Sequence, residues 1–242
     1  MKNFLNKLGD LLFPPDIKCL ICGRELNGEN ATNSICHSCL AKMNFVINPC
    51  PICGDKMPGE NNICENCKNR KTTHFNKSRS VFVYDGLAKS LIVDAKFDGK
   101  RYIAKSIAKF MFECYTTHRF NCNVVTFVAS GTKRMKERGY NLSELVAKEL
   151  SKLANLSCIA TMKRVKESHQ IDKTFAERQK NIAGAYELLP NINLDGKTVL
   201  LIDDVYTTGA TMNECAHLLK TAGASDVFGL TFAHTVKASA AK

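Results

Sequence analysis

Eight cysteines near the start of the sequence are the residues whose type and spacing most clearly predict chemistry. They form four Cys-x-x-Cys pairs. Such a pair places two thiolates on one side of a metal ion, and two pairs supply the four ligands of a closed, tetrahedral structural zinc site. The sequence therefore predicts two structural zinc ions. The predicted ligands are Cys19, Cys22, Cys36, Cys39, Cys50, Cys53, Cys64 and Cys67.

Two pairings of these cysteines are open. Neighbouring pairs would give two successive ribbons, and an interleaved, cross-braced arrangement is also sterically allowed; we favour the successive one because it closes shorter loops. Catalytic zinc is not expected, since all four positions of each site would be filled. A redox role for one pair, and His37 as a replacement ligand, are less favoured alternatives. Four further cysteines show no mutual spacing and receive no role: Cys114, Cys122, Cys158 and Cys215.

A second segment suited to chemistry runs from Thr198 to Thr211. An aliphatic run is followed by Asp203 and Asp204, and then by a threonine and glycine loop that leads into a helical pattern. We expect the strand to end at the acids, whose carboxylates could accept hydrogen bonds from sugar hydroxyls. Small residues at a helix N-terminus present backbone amides to an anion. The segment therefore predicts a sugar-phosphate site, the alternative being aspartates that only cap the helix. The expected phosphate ligands are Thr207, Thr208, Gly209, Ala210 and Thr211.

The elements that would position this segment lie in residues 76–242. Apolar runs alternate there with helical periodicity, which predicts an α/β fold with a mainly parallel sheet covered by helices. Asn141 is expected to cap the helix that follows it, with Glu144 three residues on. The expected strands are Ser80–Tyr84, Val124–Ala129, Cys158–Met162, Thr198–Asp203 and Val227–His234. The expected helices are Leu87–Asp94, Tyr102–Thr116, Ser143–Leu153 and Thr211–Ala222.

The cysteine region is expected to be a domain of its own. Residues 1–75 contain few large apolar side chains, so metal binding would supply much of their folding free energy. The polar and basic segment Lys68–Lys77 marks the expected boundary, with residues 76–242 as the second domain.

Positive charge is concentrated in the second domain. The formal net charge is +11; residues 1–75 carry nine Lys and Arg against seven Asp and Glu, and residues 76–242 carry 25 against 16. Residues 133–180 alone hold 12 basic against six acidic side chains. A basic domain attracts polyanions, either nucleic acid or a phosphorylated small molecule. Charge does not separate a diphosphate clamp from a DNA-binding surface.

The composition excludes a disordered chain, because 45% of the residues are hydrophobic and 24% are charged. The apolar runs are too short to span a membrane. The N-terminal stretch is amphipathic and lacks the continuous apolar core of a signal peptide, so we expect a cytoplasmic protein. We expect this stretch to form a short helix that packs on its own domain. The alternative is that its segment Phe4–Phe13 is a docking surface for a partner or for the inner membrane face.

The segment Thr198–Thr211 resembles the 5-phosphoribosyl diphosphate (PRPP) signature of type I phosphoribosyltransferases: hydrophobics, two acids, then Val-x-Thr-Thr-Gly-x-Thr. The cysteine pairs and several further segments, given at the end of this paragraph, resemble the ComF (competence protein F) family of bacteria. This resemblance covers nearly the whole chain. That resemblance implies a type I phosphoribosyltransferase-like parallel sheet flanked by helices and preceded by a small Cys-rich double zinc ribbon domain. The other segments are Arg138-Gly-Tyr-Asn141, Gln170, Arg178 with Asn181, Gly184-Ala185, Ser80-Val-Phe-Val-Tyr-Asp-Gly86 and Lys96-Phe-Asp-Gly99.

The resemblance also implies a function. The family resemblance implies that the protein binds PRPP with Mg²⁺. It also implies that the protein binds single-stranded DNA and assists its uptake in natural transformation, with helicase or DNA-uptake channel proteins as partners. Asp203 and Asp204 would orient the ribose as catalytic residues, and Ser130, Gly131 and Lys133 would join the PRPP-binding loop. The residues expected to contact an anion or DNA are Arg134, Arg138, Asn141, Gln170, Arg178 and Asn181.

Two departures from the family pattern bear on catalysis. The segment Val128–Thr132 lacks the proline that the family usually has there, and Leu142 stands where the family has glutamine. PRPP binding is therefore predicted more firmly than glycosyl transfer. Two alternatives stay open at this point: a metabolic or salvage phosphoribosyltransferase whose acceptor is unknown, and a non-catalytic, PRPP-sensing adaptor.

Overall fold

The computed structural model describes residues 17–27, 29–59, 62–97, 99–166 and 182–235. The predicted roles of Gln170, Arg178 and Asn181, and the candidate docking segment Phe4–Phe13, lie outside the described residues. Within the described ranges, no helix combines the length and the apolar character needed to cross a membrane.

Short strands and one-turn helices make up the cysteine region, and longer elements follow it. The strands in the described ranges are β1 (Ala31–Thr32), β2 (Ile35–Cys36), β3 (Lys77–Val83), β4 (Val124–Phe127), β5 (Ser157–Cys158), β6 (Met162–Arg164), β7 (Tyr186–Leu188), β8 (Thr198–Tyr206) and β9 (Asp226–His234). The helices there are α1 (His37–Leu40), α2 (Glu65–Lys68), α3 (Gly86–Phe97), α4 (Ile103–Thr117), α5 (Thr132–Arg138), α6 (Leu142–Ala154) and α7 (Ala210–Thr221).

A five-stranded parallel sheet forms the centre of the molecule, in the order β3-β9-β8-β4-β5. The aliphatic run Val199–Ile202 of β8 is fully buried. Helices cover both faces of the sheet, so β8 has no solvent-exposed face and its sequence is a continuous apolar run rather than an alternation. The predicted α/β class and parallel sheet are confirmed.

The two central crossovers leave the sheet in opposite directions. From β4 the chain passes through α5 and α6 to β5 on one side, and from β8 it passes through α7 to β9 on the other. The apolar side chains of α6 join the buried cluster on one face of the sheet, and those of α7 join the cluster on the other. The carboxyl ends of β4 and β8 therefore border a crevice where connections diverge, which is the usual ligand position in open α/β sheets.

Three details of the predicted elements need correction. The strand beginning at Thr198 does not end at Asp203, because β8 stays paired with β9 up to Tyr206. The expected single strand Cys158–Met162 is two: β5 pairs with β4, and Met162 begins the β6–β7 hairpin. Helix α5 was not expected, since its sequence Thr-Lys-Arg-Met-Lys-Glu-Arg has no apolar face and none of its residues is buried.

The segment between the two ribbons covers the outer edge of β3. The Val46 N–H donates to the Val81 carbonyl (3.0 Å), and the Val83 N–H donates to the Asn44 carbonyl (2.7 Å). Phe45 forms an antiparallel bridge with Phe82, and their ring centroids lie 4.5 Å apart. Residues 44–46 thus occupy the part of the β3 edge at Val81–Val83, which would otherwise be unpaired.

Candidate functional site

The eight paired cysteines form two compact groups. In each group the four Sγ atoms all lie within 4.8 Å of one another: one group is Cys19, Cys22, Cys36 and Cys39, and the other is Cys50, Cys53, Cys64 and Cys67. The successive pairing is therefore confirmed over the interleaved one, and His37 belongs to neither group.

Sulfur spacing in both groups fits zinc. The Cys22 and Cys36 sulfurs are 3.7 Å apart, and the Cys53 and Cys64 sulfurs are 3.4 Å apart. Zn–S bonds of about 2.3 Å in a tetrahedron place sulfurs about 3.8 Å apart. With all four ligand positions filled by thiolates, these are structural zinc sites without an open position for a substrate.

The pKa values of the packed cysteine thiols are shifted in opposite directions. A hydrogen bond from Cys53 lowers the pKa of Cys67 to about 6, with a smaller contribution from the Arg70 cation. Burial raises the pKa of Cys39 to about 12, and hydrogen bonding to Cys67 together with burial raises that of Cys53. Four thiolates in one group therefore need a cation among them, as a zinc ion provides.

The first ribbon packs on the face of the sheet that carries α4. Ile35 is fully buried, and it belongs to the same apolar cluster as Phe82 and Phe110. Asn33, in the turn between β1 and β2, donates from Nδ2 to Glu113 Oε1 (2.9 Å), and its carbonyl accepts a hydrogen bond from the Ser106 hydroxyl. This ribbon extends the hydrophobic core.

The second ribbon lies against β3. The Ser78 N–H donates to the Ile52 carbonyl (2.7 Å), and Arg79 Nη1 donates to the Cys50 carbonyl (3.1 Å). Gly54 has φ +77°, and a Cβ there would lie 2.7 Å from the Ser78 carbonyl oxygen. Only glycine permits this close approach of the knuckle to the strand.

The two predicted catalytic aspartates face the crevice between β4 and β8. Asp203 Oδ1 accepts hydrogen bonds from the Ser143 hydroxyl (3.0 Å) and from the Asp204 N–H (2.9 Å). Asp204 Oδ2 lies 2.6 Å from Lys96 Nζ. Burial, and next the charge of Asp204, raise the pKa of Asp203 to about 7. The pair therefore combines one strongly perturbed carboxyl group with one that is ion-paired.

The predicted phosphate loop connects β8 to α7. Gly209 is the N-cap of α7 and has φ +72°; a Cβ at this position would clash with the Tyr206 hydroxyl and would lie 2.7 Å from Arg70 Nη2. The Thr208 hydroxyl accepts a hydrogen bond from the Ala210 N–H (3.3 Å). Thr207 is exposed and Thr211 is half-buried. The loop is thus a tight turn whose amides lie at a helix N-terminus.

Asn141 holds the loop that follows β4. It is 5% exposed, and its Nδ2 donates to the Val128 carbonyl (2.8 Å). Its Oδ1 accepts from the Ser130 hydroxyl (3.0 Å) and from the Ser143 N–H (3.1 Å), which confirms the predicted cap. Leu142 is buried among core side chains, so it takes no part in the loop surface. Asn141 and Ser143 together connect this loop to Asp203.

Basic side chains lie on α5 and on the paired strands β6 and β7. Lys133 and Arg134 are exposed on α5, which begins after its N-cap Gly131. The guanidinium of Arg138 lies 4.4 Å from the ring centroid of Phe97, whose side chain is 65% exposed. On the β6–β7 hairpin, Lys163 pairs with Glu187 (3.2 Å). That hairpin is tied to α7, because the Gly184 N–H donates to Glu214 Oε1 (2.6 Å).

Several residues at the crevice were given no role from the sequence. Ser143 and Lys96 contact the aspartates, and Arg70 and Tyr206 contact the phosphate loop. Lys96 belongs to a segment that resembles the ComF family, and this resemblance was the only indication in the sequence of a role for Lys96. Tyr140 and Tyr186 are buried in packing positions.

Comparisons with known proteins agree with this geometry. A family model described as a phosphoribosyl transferase domain matches residues 100–240, and one described as a double zinc ribbon domain matches residues 8–68. Strand β3 and helix α3 lie between the two matched stretches, although β3 belongs to the main sheet.

Curated relatives match most of the chain. Competence protein F of Haemophilus influenzae is 27% identical over 237 residues, covering 94% of this chain and 96% of that protein. Competence protein ComFC of Bacillus subtilis is 25% identical over 220 residues, covering 83% and 88% respectively. DNA utilization protein YhgH of Salmonella typhimurium is 26% identical over 204 residues, covering 80% and 87%. The resemblance drawn from the sequence is confirmed.

Proposed function

Because this chain belongs to the phosphoribosyl transferase domain family, we propose that it binds PRPP at the crevice between β4 and β8. The observation that carries the proposal is the placement of Asp203 and Asp204 directly before a glycine-capped loop at the point where crossovers diverge. Such a crevice places anion-binding amides beside hydrogen-bond acceptors, as a sugar phosphate requires.

Each part of PRPP has a counterpart in the crevice. The 5′-phosphate would accept hydrogen bonds from the amides and hydroxyls of the loop Thr207–Thr211, and the ribose hydroxyls would donate to Asp203 and Asp204. The loop Ser130–Lys133, supported from beneath by Asn141, would take the diphosphate. Lys96 occupies Asp204 in the structure, so the ribose would have to displace it or share the carboxylate.

Mg²⁺ would enter with the ligand. It would be held through the diphosphate and the ribose hydroxyls, and it would neutralise part of the diphosphate charge. In glycosyl transfer the C1–O bond of PRPP breaks, pyrophosphate leaves, and an acceptor attacks C1. Lys133 and Arg134, which are exposed, would stabilise the departing pyrophosphate.

We further propose that the protein handles single-stranded DNA during its uptake. The relatives named for competence and for DNA utilization support this role. So does α5, which carries Lys133, Arg134 and Arg138, because the exposed Phe97 ring lies beside the guanidinium of Arg138. Single-stranded nucleic acid is bound by such combinations, since bases stack on the ring and phosphates pair with the cations.

We also propose that the protein docks on a partner protein or on the inner membrane face. The ComF resemblance implies helicase or DNA-uptake channel proteins, and we assign the docking role to the amphipathic segment Phe4–Phe13, at a partner or at the inner membrane face. Deleting this segment should abolish such docking and leave PRPP binding intact.

The ligand proposal is tested by calorimetric titration of PRPP with Mg²⁺. The double variant Asp203→Asn/Asp204→Asn should lose saturable binding while staying folded. The matched control Glu144→Gln/Glu149→Gln removes the same charge from α6, where each glutamate pairs with a lysine, and should bind as the wild type does. Absence of binding in the zinc-loaded wild type would refute the proposal. Pyrophosphate release with candidate acceptors then separates transfer from binding alone.

The DNA proposal is tested by fluorescence anisotropy with a labelled single-stranded oligonucleotide at several salt concentrations. Affinity should fall steeply with salt, because neutralised phosphates release counterions. Phe97→Ala should weaken binding by about 1–3 kcal/mol if a base stacks on the ring. A flat salt profile would count against the proposal.

A further inference from the structure

The segment that leaves the second zinc ribbon contacts the predicted phosphate loop. Arg70 follows the ligand Cys67 by three residues, and its Nη2 donates to the Thr208 carbonyl (2.8 Å) and to the Tyr206 hydroxyl (3.3 Å). The same nitrogen lies beside Gly209, the N-cap of α7. One guanidinium therefore touches the end of β8, the loop and the start of the helix.

Further contacts fix the same segment along α7. The His74 N–H donates to Asn213 Oδ1 (2.8 Å), and Asn213 Nδ2 donates to the Thr72 carbonyl (3.3 Å). The His74 and His217 ring centroids lie 4.5 Å apart. These contacts span one side of α7 from its first turn to its second, so the segment cannot move away from the loop without losing all of them.

Arg70 itself is held in place from the ribbon side. Its guanidinium lies 5.6 Å from the ring centroid of Phe75, a residue that is buried in the same cluster as the four cysteines of the second zinc site. Its Nη1 is buried and has no hydrogen-bond partner among the described residues. The thiolates of the second zinc site already neutralise part of this charge, as the lowered pKa of Cys67 shows. The buried Nη1 donor still lacks an acceptor in the described part of the chain, and an anion bound at the loop could supply one.

We propose that Arg70 is a positioning residue of the phosphate site, and that it makes ligand binding depend on the second zinc ribbon and not on the first. Its hydrogen bond to Thr208 orders the loop, and its charge favours an anion at the N-cap of α7. The segment Lys68–Lys77, expected to be a plain domain boundary, then forms one wall of the site. This inference rests on the proposed binding of PRPP.

The test measures PRPP affinity, with Mg²⁺, by calorimetry in the wild type and three variants. Arg70→Ala should weaken binding about 10- to 100-fold, the loss expected for a charge-assisted hydrogen bond. Arg70→Lys keeps the charge and one donor, so it should recover part of that loss. Arg24→Ala removes the same charge from an exposed position in the first ribbon and should change affinity less than about twofold.

Amide hydrogen exchange in the free proteins separates positioning from general instability. Residues 207–213 should exchange faster in Arg70→Ala than in Arg24→Ala, while β4 and α6 keep wild-type protection and the zinc content stays at two per chain. If Arg70→Ala does not fold, Arg70→Lys carries the comparison, with an expected affinity between wild type and a loss of tenfold.

The possible outcomes of these experiments distinguish failure of the Arg70 inference from failure of the proposed PRPP binding. Wild-type affinity in both Arg70 variants, with PRPP bound by the wild type, overturns the inference and leaves the proposed function intact. A wild type that binds no PRPP refutes the proposed function and the inference together. Equal losses in Arg70→Ala and Arg24→Ala would mean that net charge, rather than the contact with Thr208, affects binding, and would also overturn the inference.

Discussion

The two zinc ribbons share one ligand chemistry and differ in what they touch. Three of the four ligand cysteines of the first belong to the apolar cluster on the face of α3, α4 and α6, where Ile35 packs against the core. Those of the second lie on the opposite face with α7, and the segment that follows them contacts the loop at Thr208. Identical metal sites can therefore serve unlike purposes: one extends a core, and the other holds a binding loop in place.

Removing the zinc sites one at a time should give the largest effects. Cys22→Ser/Cys39→Ser and Cys53→Ser/Cys67→Ser should each lower the zinc content from two to one per chain. Because structural zinc contributes about 10–16 kcal/mol to the folding of small zinc modules, each ribbon should unfold locally and become sensitive to limited proteolysis. PRPP affinity should fall at least about tenfold more in the second pair than in the first. Equal losses would remove the distinction between the ribbons.

Two glycines that follow zinc ligands provide a finer comparison. Gly54 and Gly23 both have positive φ, but a Cβ on Gly54 would press on Ser78, whereas one on Gly23 would meet nothing within 4 Å. Gly23→Ala should cost about 1–2 kcal/mol for the left-handed backbone alone. Gly54→Ala should cost about 2–5 kcal/mol, since overpacking adds about 1–3 kcal/mol. Urea unfolding measures both, and equal costs would contradict the packing seen at Gly54.

A conservative change in the first ribbon should lower the free energy of unfolding without changing PRPP affinity. Ile35→Val removes one methylene from a fully buried side chain and should cost about 0.5–1.5 kcal/mol. Ile47→Val, at a side chain that is 59% exposed, is the control and should stay within about 0.5 kcal/mol. Both variants should keep wild-type PRPP affinity by calorimetry. A weaker affinity in Ile35→Val would mean that the first ribbon also supports the site.

The last prediction concerns pH and involves neither ribbon. The pKa of Asp203 is raised to about 7 by burial and by Asp204, so the folded protein holds a proton that the unfolded chain has lost above pH 4. Stability from this group should therefore fall as pH rises from about 4 to about 7 and stay level above. The charge of Lys96 already lowers this pKa and is part of the shift. We therefore expect Tm to be lower at pH 8 than at pH 5.

Thermal unfolding at pH 5, 6, 7 and 8 checks this expectation. Asp203→Asn should remove the slope, and Arg24→Ala and Arg70→Ala should leave it unchanged. A slope that persists in Asp203→Asn would assign it to other groups.

Features formed by residues that are close in sequence could be predicted, and features formed by residues that are far apart in sequence could not. The cysteine pairs and the Asp203–Thr211 segment are recognisable because their residues are close in sequence and their types follow from metal and phosphate chemistry. The hydrogen bond from Ser143 to Asp203 joins residues 60 positions apart, and that from Arg70 to Thr208 joins residues 138 apart. No local pattern distinguishes an arginine in a solvated linker from one that orders a distant loop. Packing alone determines which it is.

Short elements escaped prediction for a related reason. Helix α5 and the β6–β7 hairpin have little apolar periodicity, and they are held by contacts such as that between Gly184 and Glu214. The end of β8 was placed too early because acidic side chains argue against a buried strand, yet backbone pairing with β9 continues beneath them to Tyr206.

The covering of β3 by residues 44–46 has a consequence for how the protein would fail. Those residues follow the first ribbon, so a chain that loses zinc there also loosens the segment paired with Val81 and Val83. The exposed row of amides and carbonyls on β3 is then a template on which another chain can add a strand. We therefore expect loss of the first zinc ion to promote aggregation through this edge.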